Sequence, residues 1–268
     1  MHIHFLDPYH PLPSLIHSLD ARVKLILVVG FILTTSLMPV GVWAGYLILY
    51  ALLISAEILS EVSLRYYFSR ALFSIPFILA ALPLPFTTHG RVLAQFQLDG
   101  LTLVISAEGL ARLISVALKS WISVQAAILL AVSTTFPDIL LAMRAVGVPR
   151  LLVAVFGLMW RYLFVFADEA LRLMRARAAR SSEVDGYRSG RSLTWRAKLT
   201  GGMAGSLFLR GFERADRVYL AMVARGYDGE VRSLPLPAWK KTNTVVVVLG
   251  LFLYLLILIM GSFIRSIG

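Results

Sequence analysis

Cysteine is absent from this 268-residue sequence, which excludes a disulfide framework, a thiolate metal cluster and a thiol nucleophile. No glycine-rich loop ending in Lys-Ser or Lys-Thr occurs, so the chain has no phosphate cradle and cannot hydrolyse ATP alone. His-Glu-x-x-His and Gly-x-Ser-x-Gly are missing too, and the five histidines (His2, His4, His10, His17, His89) fall in the first twenty residues or a loop. His2-Ile3-His4 would need further ligands to hold a divalent metal, so no metal site and no catalytic residue is assigned. Charge is scarce, at 15% of residues against about a quarter in soluble domains.

What is abundant is apolar: 58% of residues are hydrophobic, which places the chain in a bilayer. Lys and Arg number 26 against 15 Asp and Glu, a net charge of +11. In a membrane protein that excess reports cytoplasmic loops facing an anionic leaflet, and a nucleic-acid partner is set aside. The first twenty residues mix His, Pro and Asp and are not expected to act as a secretory signal.

Five spans are expected. Val23 to Met38 and Val42 to Leu59 form a hairpin around the uncharged turn Met38-Pro39-Val40-Gly41, and Ala71 to Phe86 is broken by Pro76, Pro83 and Pro85. Thr87 to Glu108 is expected as an outside polar loop. A fourth span runs from about Leu110 to about Thr135, with Lys119 facing protein or water, and Thr244 to Phe263 is the last. Glu57, Glu61 and Glu108 are expected at span ends, so the intramembrane acids of a proton- or sodium-coupled pump are not in evidence.

Between Arg144 and Arg232 the chain changes character, with sixteen Lys or Arg against eight Asp or Glu. Leu151 to Ala167 is expected as the buried first half of a helix continuing to Arg180, which ends in Ala179-Arg180-Ser181 before a hinge at 185–192. In the next helix Leu207, Gly211, Ala215, Val218 and Met222 recur at helical spacing, giving one apolar stripe on an otherwise charged helix. Ala224-Arg225-Gly226 ends it with a glycine suited to a left-handed cap. Gly201 and Gly205, four apart, together with Gly211 and Ala215, are candidate helix-crossing positions. An arginine at a helix C-terminus ordinarily complements the helix dipole. Two such ends in one basic segment suggest paired docking.

The segments Asp138 to Pro149, Trp160 to Phe164 with Asp168-Glu169-Ala170, Ala179-Arg180-Ser181, and Arg214-Ala215-Asp216 leading to Ala221–Tyr227 resemble the transmembrane T component of energy-coupling factor transporters. His4-Phe5-Leu6-Asp7 and Leu19 to Lys24 are similar to its cobalt branch, the CbiQ type. The resemblance covers essentially the whole chain. It implies an all-α integral membrane protein with about five transmembrane helices plus a cytoplasmic coupling domain of long crossed amphipathic helices, divided as 1–135, 136–241 and 242–268. It also implies a non-catalytic, multi-pass subunit of the cell membrane, with N-terminus and coupling domain cytoplasmic. Its partners would be two ABC-type ATPase subunits, which bind the ATP, a CbiM-like substrate-binding membrane subunit, a small accessory membrane subunit, and membrane lipid. Ala179, Arg180, Ser181, Ala224, Arg225 and Gly226 would dock the ATPases. Ser181 stands where many members have glycine. Cobalt is the expected cargo, with nickel or a vitamin as alternatives and a self-sufficient secondary transporter as a reading from another class.

Overall fold

The computed structural model describes residues 9–98, 101–180, 192–228 and 238–267; His2, His4, Ser181 and most of the expected hinge lie outside them. The chain divides into two compact units, residues 2–146 with 236–268, and residues 147–235. Of the 136–241 segment expected as one domain, the first helix therefore belongs to the larger unit.

In the larger unit, α1 (Leu15–Ser18) precedes α2 (Ala21–Leu37), which is capped by Asp20: its carboxylate accepts the Arg22 N–H at 2.9 Å and Arg22 Nε at 3.2 Å. After the turn at Gly41 the chain returns in α3 (Trp43–Leu59). The third span is one path in pieces: α4 (Leu64–Ala71), a 3₁₀ turn (Leu72–Ser74), α5 (Ile75–Ala81) and α6 (Leu84–Thr87). Pro76, Pro83 and Pro85 stand at the beginnings of pieces, where a missing N–H breaks no helical bond.

The loop expected at 87–108 instead carries an antiparallel hairpin, β1 (Val92–Leu98) with β2 (Leu101–Ser106), in which Phe96 pairs Leu103 and Leu98 pairs Leu101. Then follow α7 (Ala107–Ser133), capped by Ser106, and α8 (Phe136–Ala145), capped by Thr135. The final helix of this unit is α11 (Lys241–Ile267). By length and composition Leu64–Thr87, Ala107–Ser133 and Lys241–Ile264 can cross a bilayer, and Trp43–Leu59 is a shorter apolar helix. These lie at four of the five expected spans; α2 stands at the place of the first but is not among the helices apolar and long enough to cross.

α2 packs against α7, α8 and α11, and the core gathers Phe31, Tyr46, Leu49, Tyr67, Ile122, Val132 and Ile257. Polar groups in and around it have particular tasks. Lys119 Nζ donates to the Ser36 carbonyl at 2.8 Å, a cation satisfying the C-terminal end of α2. Lys24, 7% exposed, donates to the Ser133 carbonyl at 2.8 Å and the His17 carbonyl at 3.2 Å, tying the N-terminal segment to the end of α7.

Glu57 stands in the last turn of α3, at a span end as expected, but it is fully buried, with neither carboxylate oxygen partnered among the described residues. The chain folds back over it, since Ser60 Oγ lies 2.6 Å from the Glu57 carbonyl and 2.8 Å from the Tyr67 hydroxyl.

The N-terminal segment continues the same tie: the His10 N–H donates to the Val132 carbonyl at 3.1 Å, and Ser14 Oγ meets His17 Nδ1 at 2.6 Å. Burial, then the Lys24 charge, lowers the His17 pKa below its ordinary 6.5. The unfolded chain therefore binds the proton more readily. Stability is expected to be full above that ordinary pKa and to fall as acidification passes from it toward the lower folded value. Unfolding curves from about pH 8 to about pH 5 check this, and His17→Gln should flatten the slope.

Candidate docking site on the long helices

The smaller unit is built on α9 (Arg150–Arg180) and α10 (Leu193–Ala224). Both are long because no proline interrupts either run, and Ser192 caps α10 by accepting the Trp195 N–H at 3.3 Å. The predicted α10 stripe meets α9: Gly211, Ala215, Val218 and Met222 line one groove with Val155, Met159 and Phe166. A Cβ on Gly211 would fall 2.6 Å from Phe166 Cζ, so the Phe166 ring fills the space a side chain would need at this crossing. Beside the crossing, Glu169 accepts from Arg210 Nη1 at 3.1 Å and Arg214 Nη2 at 3.3 Å, its side chain 12% exposed. These are charge-assisted contacts that fix the register.

At Gly201 and Gly205 a Cβ would meet nothing within 4 Å, so within this chain they are not the crossing. Gly201→Ala and Gly205→Ala are each expected to raise thermal stability by up to about 1 kcal/mol, by helix propensity alone. Gly211→Leu should lower it by about 1–3 kcal/mol by overpacking. Detergent-phase melting of the three variants distinguishes the sites.

α9 is one helix through Leu151–Ala167, as expected, but it has no buried residue, because α10 covers only one stripe of it. Leu151 is 64% exposed and Val155 and Met159 are each 51% exposed. Length and composition alone would admit α9 as a span. Its apolar half, however, packs on the part of α10 that carries Glu213, Arg214, Asp216 and Arg217. Placing that pair in hydrocarbon would cost about 2.5 kcal/mol or more per charge, which argues for an amphipathic pair at a polar boundary.

The helices are antiparallel: Arg177 and Arg180 of α9 lie beside Trp195 and Arg196 of α10, while Val155 and Met159 lie beside Met222 and Tyr227. From Phe166 to Arg180 and from Gly211 to Arg225 the sequence distance is 14 residues. At about 1.5 Å per residue each arginine stands about 21 Å beyond the crossing, on opposite ends of the pair. Both are exposed.

At the Arg225 end, Gly226 adopts φ +78°. The Gly226 N–H donates to the Val223 carbonyl at 2.9 Å and the Tyr227 N–H to the Met222 carbonyl at 3.0 Å. This pattern closes the helix with a left-handed residue and leaves the arginine projecting from the last turn. At the other end Arg177, Arg180, Arg196 and Arg210 line an open cleft of about 870 Å³, and among the described residues that line it none is acidic. Sequence reading identified Arg180 but not Arg177 or Arg196. Arg177 lies one turn before Arg180 and was readable as sharing its face. Arg196 joins them only through the antiparallel pairing.

Several apolar helices of spanning character, with a separate unit of two long, basic, antiparallel helices ending in exposed arginines, define a multi-span helical membrane protein. Residues 13–236 match the family model CbiQ, described as cobalt transport protein, so the chain belongs to that family. It is 28% identical to the energy-coupling factor transporter transmembrane protein EcfT of Clostridium kluyveri, over 84% of this chain and 83% of that protein. It is 27% identical to the EcfT of Streptococcus equi, over 94% and 96%. The cobalt transport protein CbiQ of Rhodobacter capsulatus is 28% identical over 58% of this chain and 61% of its own length. The chain is thus a transmembrane component of the energy-coupling factor type.

Proposed function

We propose that the chain is the coupling subunit of an ATP-driven importer, with the Arg180 and Arg225 helix ends seated in two separate ABC-type ATPases on the cytoplasmic side. The observation that carries this is their placement: two exposed cationic helix ends on one crossed, antiparallel pair, too far apart to serve a single small site. Each guanidinium suits an acidic groove, and the arginine-lined cleft beside Arg180 favours an anionic partner surface. When ATP draws the ATPases together, the seated ends move and the crossing at Gly211 and Phe166 transmits the motion. The uncovered apolar residues of both helices, among them Phe208 and Phe212 at 71% and 62% exposure, offer a face to a substrate-capturing membrane subunit.

Cobalt is the cargo suggested by the family's description, carried by that partner and not by this chain. Proteoliposomes test the reading. The chain with two ATPases and the substrate-binding subunit is expected to import labelled cobalt only with ATP, and the chain alone to import none. Flux through the chain alone would overturn the coupling role, while import of nickel or a vitamin in preference would overturn only the choice of cargo.

A further inference from the structure

At one end of the larger unit a cavity of about 330 Å³ is walled by the start of α2, the end of α7, and the beginnings of α8 and α11. Its wall carries Asp20, Arg22, Lys24, Asp138 and Lys240; Asp20 is taken up by Arg22 and by the Asn243 amide, while among the described residues no ion pair joins buried Lys24 to exposed Asp138. Lys24 is 7% exposed and gives two N–H groups to carbonyls, which leaves one of an ammonium's three donors. The Asp138 carboxylate takes the Thr135 hydroxyl on Oδ2 at 2.6 Å and keeps Oδ1. Ser133 and Thr134, 3% and 4% exposed, add buried polar wall, and Lys240 stands at the exposed rim. A buried cation and a carboxylate held apart across a cavity complement a ligand that carries both signs.

Depth identifies the source of that ligand. The cavity lies where the start of α2, the end of α7 and the start of α11 meet at one end of the unit, and Arg22 stacks 5.2 Å from the centroid of the Trp239 ring beside it, a cation and an aromatic of the kinds enriched at membrane–water interfaces. A second cavity of about 120 Å³ shares Leu19, Lys24 and Ser133 with the first and is otherwise lined almost wholly by apolar side chains, including Phe31 and Leu129. A polar space and an apolar one set on either side of the Lys24 and Ser133 wall match the two parts of an amphiphile.

The geometry points to a structural site for one aminophospholipid: the phosphate on Lys24 and Lys240, the primary ammonium on Asp138, and the start of an acyl chain in the apolar cavity. The donor set makes a selectivity claim. A trimethylated ammonium has no N–H to give Asp138, and a glycerol headgroup has no cation for it.

The test is native mass spectrometry of the full chain, delipidated in mild detergent and titrated with phosphatidylethanolamine, phosphatidylcholine and phosphatidylglycerol of identical acyl chains, and with soluble glycerophosphoethanolamine. One phosphatidylethanolamine is expected per chain, bound at least about tenfold more tightly than either other lipid. The soluble headgroup should bind weaker again, and Asp138→Asn should abolish the preference over phosphatidylcholine. Equal binding of the three lipids, a preference unchanged in Asp138→Asn, or soluble headgroup binding as tightly as lipid would overturn the assignment. If Asp138→Asn does not fold, the lipid series on the unaltered chain decides it.

Discussion

Arg180→Ala combined with Arg225→Ala is expected to abolish co-purification of the ATPases and ATP-dependent uptake, while the chain remains folded in the membrane. Each side chain ends a long helix and is exposed, so its removal leaves no cavity. In a formed interface, truncating one partner of a buried, hydrogen-bonded charge pair costs about 2–5 kcal/mol, which is about 30-fold or more in affinity per site. The single variants should therefore weaken assembly, and the double should lose it. Gly226→Val should mimic Arg225→Ala in part, because φ +78° is closed to a branched side chain and the arginine would be re-aimed. Quantitative pull-down from co-expressing cells, normalised to the amount of chain in the membrane, reads all four. Unchanged ATPase recovery in the double variant would contradict the docking role.

Lys24→Met is expected to be strongly destabilising for a change that keeps the volume of the side chain. The methionine keeps most of the aliphatic volume but leaves the Ser133 and His17 carbonyls without their donor. Each unsatisfied buried carbonyl costs about 1–3 kcal/mol, and relief from desolvating the ammonium offsets part of this, so a loss of about 2–3 kcal/mol is expected. Lys119→Met should cost well under half as much. It also loses one bond to a carbonyl, Ser36, but that site is exposed and another donor can replace the lysine. Thermal unfolding of both variants in the same detergent compares them directly, and equal losses would refute the distinction.

Much of this architecture was legible because the bilayer constrains sequence severely. The spans declared themselves as apolar runs, the break in the third by its prolines, and the end of α10 by Gly226. The Gly211, Ala215, Val218 and Met222 stripe predicted which face of α10 would be covered. What was not legible depends on pairing between distant segments.

Glu57 looked like a residue at a span end, and only the fold-back through Ser60 and Tyr67 buries it. Gly201 and Gly205 carried the familiar spacing of crossing glycines. The close approaches belong instead to Gly211 on Phe166 and, in the larger unit, to Gly250, where a Cβ would fall 2.4 Å from a Leu27 methyl. The apolar half of α9 suggested burial, yet among the described residues of its unit only α10 covers it, so most of that surface stays exposed. The cavity at Lys24 is assembled from four stretches of chain and leaves no pattern in any one of them.

The absence of cysteine makes the central claim directly measurable. Arg180→Cys and Arg225→Cys, made singly in this naturally thiol-free chain, can be probed with a membrane-impermeant maleimide in right-side-out and inverted membrane vesicles. Both positions are expected to label only in inverted vesicles, and to be protected when the ATPases are bound. Labelling from opposite faces of the membrane, or protection of either position by lipid alone, would contradict the account.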